Sequence, residues 1–211
     1  YMNKSYYSLG LMSGTSGDGV DASLIVSDGK NKFKAIYDKY EQYTPDIYDE
    51  FHELKEKILN SKDLIKHGKA IRDLERKITI FNILVIGKIK DKLLKSEQKI
   101  HLVGFHGQTI LHNPEEKISL QLGDGKLLSE IANINVVFDF RSNDLENGGQ
   151  GAPLAPIFHQ LLVNQKKIKL PVTILNLGGI ANITSINTSS GPTSLLGIKS
   201  SSKPTSLLLD I

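Results

Sequence analysis

The chain has 211 residues, 39% of them apolar and 23% charged, which is enough to bury a full core and too apolar for disorder. It has no cysteine, so disulfides, thiolate nucleophiles and cysteine-based metal centres are excluded. The net charge of +3 comes from scattered lysines, with only Arg72, Arg76 and Arg141 as arginines, so it does not argue for nucleic acid, and no nucleic-acid partner is expected.

Tyr6–Met12 reads as a short strand. Val20–Ser27 reads as its partner, with Val20, Ala22, Leu24 and Val26 at alternate positions. Between them lies Ser13–Gly19, dense in turn residues, so a β-hairpin with a solvent-open turn is expected. Asp28-Gly29 closes the second strand, and Phe33–Tyr43 reads as a third. Nothing near the N-terminus resembles a signal peptide, and no run approaches the roughly 18 apolar residues that span a bilayer. No membrane partner and a cytoplasmic location are therefore expected.

Residues 46–97 have helical periodicity. Ile47, Phe51, Leu54 and Ile58 form one stripe, and a new helix can start at Ser61 or at Lys62-Asp63. Ile71, Leu74, Ile78, Phe81, Val85 and Ile89 carry a second stripe to about Leu93, expected to pack on the domain's own sheet. Ile100–Phe105 and Ile118–Leu122 read as strands, and Asp124 as the N-cap of a short helix ending at Ile131. Asn135–Phe140 reads as a buried strand, Gly148–Gly151 as a flexible loop, and Pro153 as the first turn of a helix reaching Val163. Pro171–Leu177 reads as a buried strand, Gly178-Gly179 as a tight turn and Ile180–Ile186 as the return strand. Pro192–Leu196 recurs as Pro204–Leu208, which reads as a local duplication or decayed segment, and the apolar end Leu207–Ile211 suggests truncation.

Four segments can carry chemistry. In Gly14-Thr15-Ser16-Gly17-Asp18-Gly19-Val20-Asp21, glycines allow close backbone approach and successive amides can form an anion-binding concavity. Two hydroxyls add donors there, and Asp18 or Asp21 can hold a metal ion or its waters. The spacing is neither a Walker loop nor a dinucleotide fingerprint, and a structural turn is the competing reading. Leu177–Thr184 is a second glycine turn between strands. His106, Gly107 and Gln108 follow a strand, where α/β domains place ligand-facing polar groups; a capping histidine is the alternative. Arg141, beyond the strand at Asn135–Phe140, suits bidentate binding of a carboxylate or phosphate; an internal Asp–Arg ion pair is the alternative.

The strings LMSGTSGDGVDA, GFHGQTILHNP, VVFDFRSNDLENGGQGAPLAP and LNLGGIANIT, in this order over about residues 6–186, together resemble the anhydro-N-acetylmuramic acid kinases. The resemblance implies an α/β, actin-like or sugar-kinase (ribonuclease H-like) fold, with residues 1–167 as a first lobe and 168–211 as the opening hairpin of a second. It also implies a kinase that uses ATP and Mg²⁺. Such an enzyme opens the 1,6-anhydro bond of anhydro-N-acetylmuramic acid with water and phosphorylates O6, recycling cell-wall sugar. By the same resemblance Gly14–Asp21, with Gly178 and Gly179, hold ATP phosphates, while His106, Gln108, Arg141 and Asp144 contact the sugar. Gly17 stands where a larger apolar residue is usual, so a looser turn is expected. Ser201 stands where the family has its catalytic aspartate, so no catalytic residue is assigned and the metal ligands stay unassigned. A homodimer is admitted. The alternative is an inactive fragment, or a sugar- or nucleotide-binding remnant of such a kinase.

Overall fold

A computed structural model describes residues 5–93, 99–177, 181–187 and 194–198. Alternating apolar residues build an antiparallel meander of β1 (Tyr6–Ser13), β2 (Gly19–Ser27) and β3 (Phe33–Gln42). Leu9, Leu11, Val20, Ala22 and Leu24 are all buried, the period-two pattern of a sheet covered on one face. The expected hairpin and third strand are both present.

The cover comes from the helical stretch. In α1 (Pro45–Lys57), Pro45 takes a first-turn position that needs no N–H donor. In α2 (Ser61–Lys66), the Asn60 side chain and the Asp63 carboxylate cap each other's backbone reciprocally. The helix stops at His67, and α3 (Gly68–Leu93) starts afresh. Ile47, Phe51 and Leu54 of α1 are buried with Ile71, Leu74, Ile78, Val85, Ile86 and Ile89 of α3, in one core with the inner face of the sheet. Each fully buried side chain of this size contributes roughly 1.5–3 kcal/mol.

The chain then enters β4 (Leu102–Asn113), parallel to β1. β5 (Ile118–Leu122) runs antiparallel to the later half of β4. α4 (Gly125–Ala132) crosses over to β6 (Asn135–Phe138), which pairs parallel with Leu102–Phe105. The sheet order is β3-β2-β1-β4, with β5 and β6 sharing the far edge of β4. A meander followed by parallel strands joined through helices is the α/β order expected of the actin-like, ribonuclease H-like fold. β4 runs well past Phe105, so His106–Thr109 lie within a strand and not after one. The strand at 135 ends at Phe138, and a short helix, α5 (Ser142–Glu146), follows Arg141.

The chain divides into two compact units, Tyr1–Gly151 and Ala152–Ile211. The division falls before α6 (Pro156–Lys166), whereas the expected boundary at 167 placed this helix in the first lobe. The reason is local: His159 Nδ1 of α6 is hydrogen-bonded to Thr184 Oγ1 at 2.8 Å, within the second unit. Pro156, and not Pro153, occupies the first turn of α6. The second unit holds an antiparallel sheet of β7 (Val172–Asn176), β8 (Ala181–Ile186) and β9 (Ser194–Ile198). β7, expected to be buried, is an edge strand with Thr173, Leu175 and Asn176 exposed. β9 forms where the sequence suggested only a decayed repeat. Gly178, Gly179, Ser201 and the apolar stretch 207–211 lie outside the described residues.

Asp124 caps α4 as expected: its Oδ1 accepts from the Lys126 and Leu127 N–H groups at 3.0 and 2.9 Å. Asp124→Ala is expected to cost about 1 kcal/mol, read as a lower denaturation midpoint in urea.

Candidate active site at the carboxyl ends of three strands

β1, β4 and β6 run parallel, so their carboxyl ends share one edge of the first unit. Open α/β sheets bind ligands at such an edge. The turn after β1, the residues after Phe105 and Arg141 beyond β6 all lie there.

A bulge in β4 organises this edge. Leu11 pairs with Phe105, but Ser13 pairs with Gln108, so β4 carries one extra residue. Gly107 absorbs it at φ +71°, close enough to β5 that a Cβ would lie 2.6 Å from the Leu122 carbonyl oxygen. The parity of burial flips with it. Val103 and Phe105 are buried before the bulge, and Gln108 and Ile110 after it. The bulge thus turns Gln108 inward while His106 keeps the opposite face.

The turn after β1 is held from several sides. Gly17 N–H donates to Gly14 O at 3.2 Å, and Tyr43 N–H to Asp18 O at 2.8 Å. The Tyr43 hydroxyl bonds the buried Ser13 Oγ at 2.8 Å, and burial pushes its pKa up to about 12. Gly17 has φ +73°, and a Cβ there would lie 2.2 Å from the Phe51 ring. The aromatic ring therefore fills the space beside Gly17, and the turn is packed where looseness was expected. Thr15, Ser16, Asp18 and Asp21 are exposed. Gly19 packs against β3 and Val20 is fully buried, so neither faces solvent as a phosphate ligand would. Asp18 and Asp21 flank Tyr40, whose hydroxyl pKa is pushed up first by burial and then by their charges. Gln108, expected among the sugar contacts, is fully buried and donates from Nε2 to Gly14 O at 2.8 Å.

His106, Arg141 and Asp144 converge. His106 Nδ1 lies 2.8 Å from Gly107 O, and its Nε2 lies 2.7 Å from Arg141 Nη2. A carbonyl only accepts and a guanidinium only donates, so His106 is the neutral imidazole protonated at Nδ1. Burial, and then the Arg141 charge, hold its pKa below the usual 6.5. Arg141 Nη1 donates to Gly151 O at 2.5 Å, and Gly151 N–H donates to Asp144 Oδ2 at 2.7 Å. Gly149 lies against the same carboxylate, where a Cβ would come within 2.2 Å of Oδ2. Asp139 turns to Ser142, accepting from its Oγ at 2.6 Å. Among the described residues no carboxylate pairs with Arg141, and its Nε is buried without a partner. The internal Asp–Arg ion pair is thus not formed, and a partly desolvated cation is left without counter-charge at this sheet edge. Such a group favours an anionic ligand.

The sequence matches the family model described as anhydro-N-acetylmuramic acid kinase over residues 6–197. The chain belongs to the anhydro-N-acetylmuramic acid kinase family. It is 55% identical over 186 residues to a Pelagibacter ubique protein named anhydro-N-acetylmuramic acid kinase, covering 88% of this chain and 48% of that relative. A Gluconobacter oxydans protein of the same name is 41% identical over 178 residues, covering 84% of this chain and 47% of its own length. One from Brucella canis is 35% identical over 201 residues, covering 89% and 53%. The chain thus spans about half the length of these curated relatives. The correspondence of Ser201 with the kinase family's aspartate lies beyond the matched residues.

Sequence reasoning missed Lys55, Phe51 and Tyr43, whose approach to the turn is set by how α1 and β3 pack. One missed signal was legible: an isolated glycine inside a strand pattern, Gly107, marks a bulge.

His106 supplies a pH dependence. Its folded pKa is depressed, so the unfolded chain binds the proton more readily. The stability this group contributes is fully present above about pH 6.5 and is lost as pH falls through the folded value. Urea denaturation at about pH 7.5 and about pH 5 is expected to show a smaller loss for His106→Gln than for the unmodified chain.

Proposed function

We propose that the protein containing this chain is an ATP-dependent kinase that hydrolyses the 1,6-anhydro bond of anhydro-N-acetylmuramic acid and phosphorylates O6. The observation that carries this reading is the uncompensated Arg141 guanidinium beside neutral His106, at the same sheet edge as the turn after β1. The acid sugar offers a carboxylate to the first, and ATP offers phosphates to the second. The names of the relatives from Pelagibacter ubique, Gluconobacter oxydans and Brucella canis support the same substrate.

In this reading each group has a physical task. Arg141 binds the sugar's anionic group through charge-assisted hydrogen bonds. His106 fixes the guanidinium by accepting from Nη2, and Asp144 fixes Gly151, whose carbonyl takes the other end of the guanidinium. The amides and hydroxyls of Thr15 and Ser16 receive phosphate oxygens. Among the described residues no three metal-ligating side chains cluster. Exposed Asp18 and Asp21 instead fit a Mg²⁺ that arrives with the triphosphate, which needs only one or two protein carboxylates. The metal would supply charge neutralisation of the phosphates. No helix among the described residues is long and apolar enough to cross a membrane. A cytoplasmic location, where ATP is supplied, belongs to the same reading, as does a sugar partner in place of nucleic acid; a homodimer is compatible with it.

Calorimetric titration with anhydro-N-acetylmuramic acid tests the proposal. Arg141→Ala is expected to weaken binding by roughly 1.5–3 kcal/mol. Equal affinity of the two proteins would remove Arg141 from the sugar site.

A further inference from the structure

Two side chains outside the solvent-facing part of the phosphate turn grip its backbone carbonyls. Lys55 lies along α1 with Nζ 5.2 Å from the centroid of the Phe51 ring, and donates to Thr15 O at 2.5 Å. Burial holds its pKa below the usual lysine value, and among the described residues it forms no ion pair. From the other side, Gln108 donates from Nε2 to Gly14 O at 2.8 Å. It is 0% exposed and projected inward by the bulge at Gly107.

A trans peptide unit is planar, and its C=O and N–H point in opposite directions. Fixing the Thr15 carbonyl on Lys55 therefore points the Ser16 N–H away from α1. Fixing the Gly14 carbonyl on Gln108 points the Thr15 N–H away from β4. Among the described residues neither N–H has a partner. Both peptide units are thus oriented by groups that grip their acceptor ends, with their donor ends left free.

We propose that Lys55 and Gln108 are positioning residues that set the Thr15 and Ser16 amides as anion donors before the phosphate arrives. The proposal rests on the reading of Gly14–Asp18 as the phosphate-binding turn. It gives Gln108 a role through the turn, distinct from sugar contact. It gives a role to Lys55, which otherwise is one lysine among many on a helical surface. Donors already aimed at the position of charge need no reorganisation when the ligand binds.

The test uses the 211-residue chain with Mg²⁺ and tripolyphosphate or ATP, read by calorimetry and by amide resonances. Lys55→Met keeps the aliphatic stem over Phe51 and removes the donor; Lys55→Arg keeps a donor; Gln108→Met removes the amide at similar volume. In the ligand-free chain, Lys55→Met is expected to shift the Ser16 amide and Gln108→Met the Thr15 amide, with the rest of the spectrum retained. Each substitution is expected to weaken triphosphate binding roughly tenfold, and Lys55→Arg to restore most of it. Affinity for the anhydro-sugar should hold in Lys55→Met. Unchanged triphosphate affinity in Lys55→Met would overturn the inference and leave the phosphate-turn reading standing. Lost affinity with an unmoved Ser16 amide would overturn it too, in favour of direct contact between Lys55 and phosphate. If the unmodified chain does not bind triphosphate, the phosphate-turn reading fails and this inference with it. Should Gln108→Met fail to fold, the half-exposed Lys55 arm decides alone.

Discussion

One extra residue in β4 sets the chemistry of this sheet edge. Without it, strict alternation would put Gln108 on the same face as His106. The two would then compete for one side, and the turn after β1 would lose its inward anchor. With Gly107 at φ +71°, His106 remains on the crevice side against Arg141 while Gln108 dives beneath the turn to Gly14 O. A single irregularity thus sets both the turn after β1 and the surroundings of Arg141. Bulges next to functional sites commonly re-aim side chains in this way.

The second constraint is charge. A half-buried guanidinium normally has a carboxylate partner, because removing it from water costs more than neutral hydrogen bonds return. Arg141 has a neutral imidazole and one carbonyl. The nearby carboxylates of Asp139 and Asp144 are engaged by the Ser142 hydroxyl and the Gly151 N–H. The local backbone therefore withholds counter-charge from Arg141. The pKa of His106 is depressed first by burial and then by the Arg141 charge, since a protonated imidazole would also set two donors face to face.

The hairpin, the meander and the helical cover were legible because each rests on local periodicity. Val20, Ala22 and Leu24 alternate, and Ile71, Leu74 and Ile78 recur at helical steps, in the sequence as in the core. The edges of elements were less legible. Asn135–Phe140 reads as one apolar run, but pairing with β4 ends at Phe138. Pro153 reads as a helix start, but the buried Pro156 takes the first turn of α6. The order of the strands placed His106 and Arg141 at one sheet edge, although His106 lies within β4 and Asp144 within α5 and not after strands. The contacts of Gln108 and Lys55 with the turn after β1 could not be anticipated. A one-residue register shift decides which way Gln108 points, and Lys55 reaches Thr15 across the Phe51 ring that fills the space beside Gly17. A packed turn in place of a loose one has the same origin: the missing side chain at Gly17 is replaced by a ring from α1, far along the chain.

The central claim is that the β4 bulge positions the turn after β1 and the Arg141 centre at once, the two regions proposed to meet ligand, and Gly107→Ala tests it most directly. A Cβ at this residue meets the Leu122 carbonyl oxygen and disfavours the positive φ, so the bulge must shift. Affinities for Mg²⁺-tripolyphosphate and for anhydro-N-acetylmuramic acid should be measured on the same folded sample. The account predicts that both fall together. Retention of both affinities in a folded variant whose β4–β5 pairing has moved would contradict it.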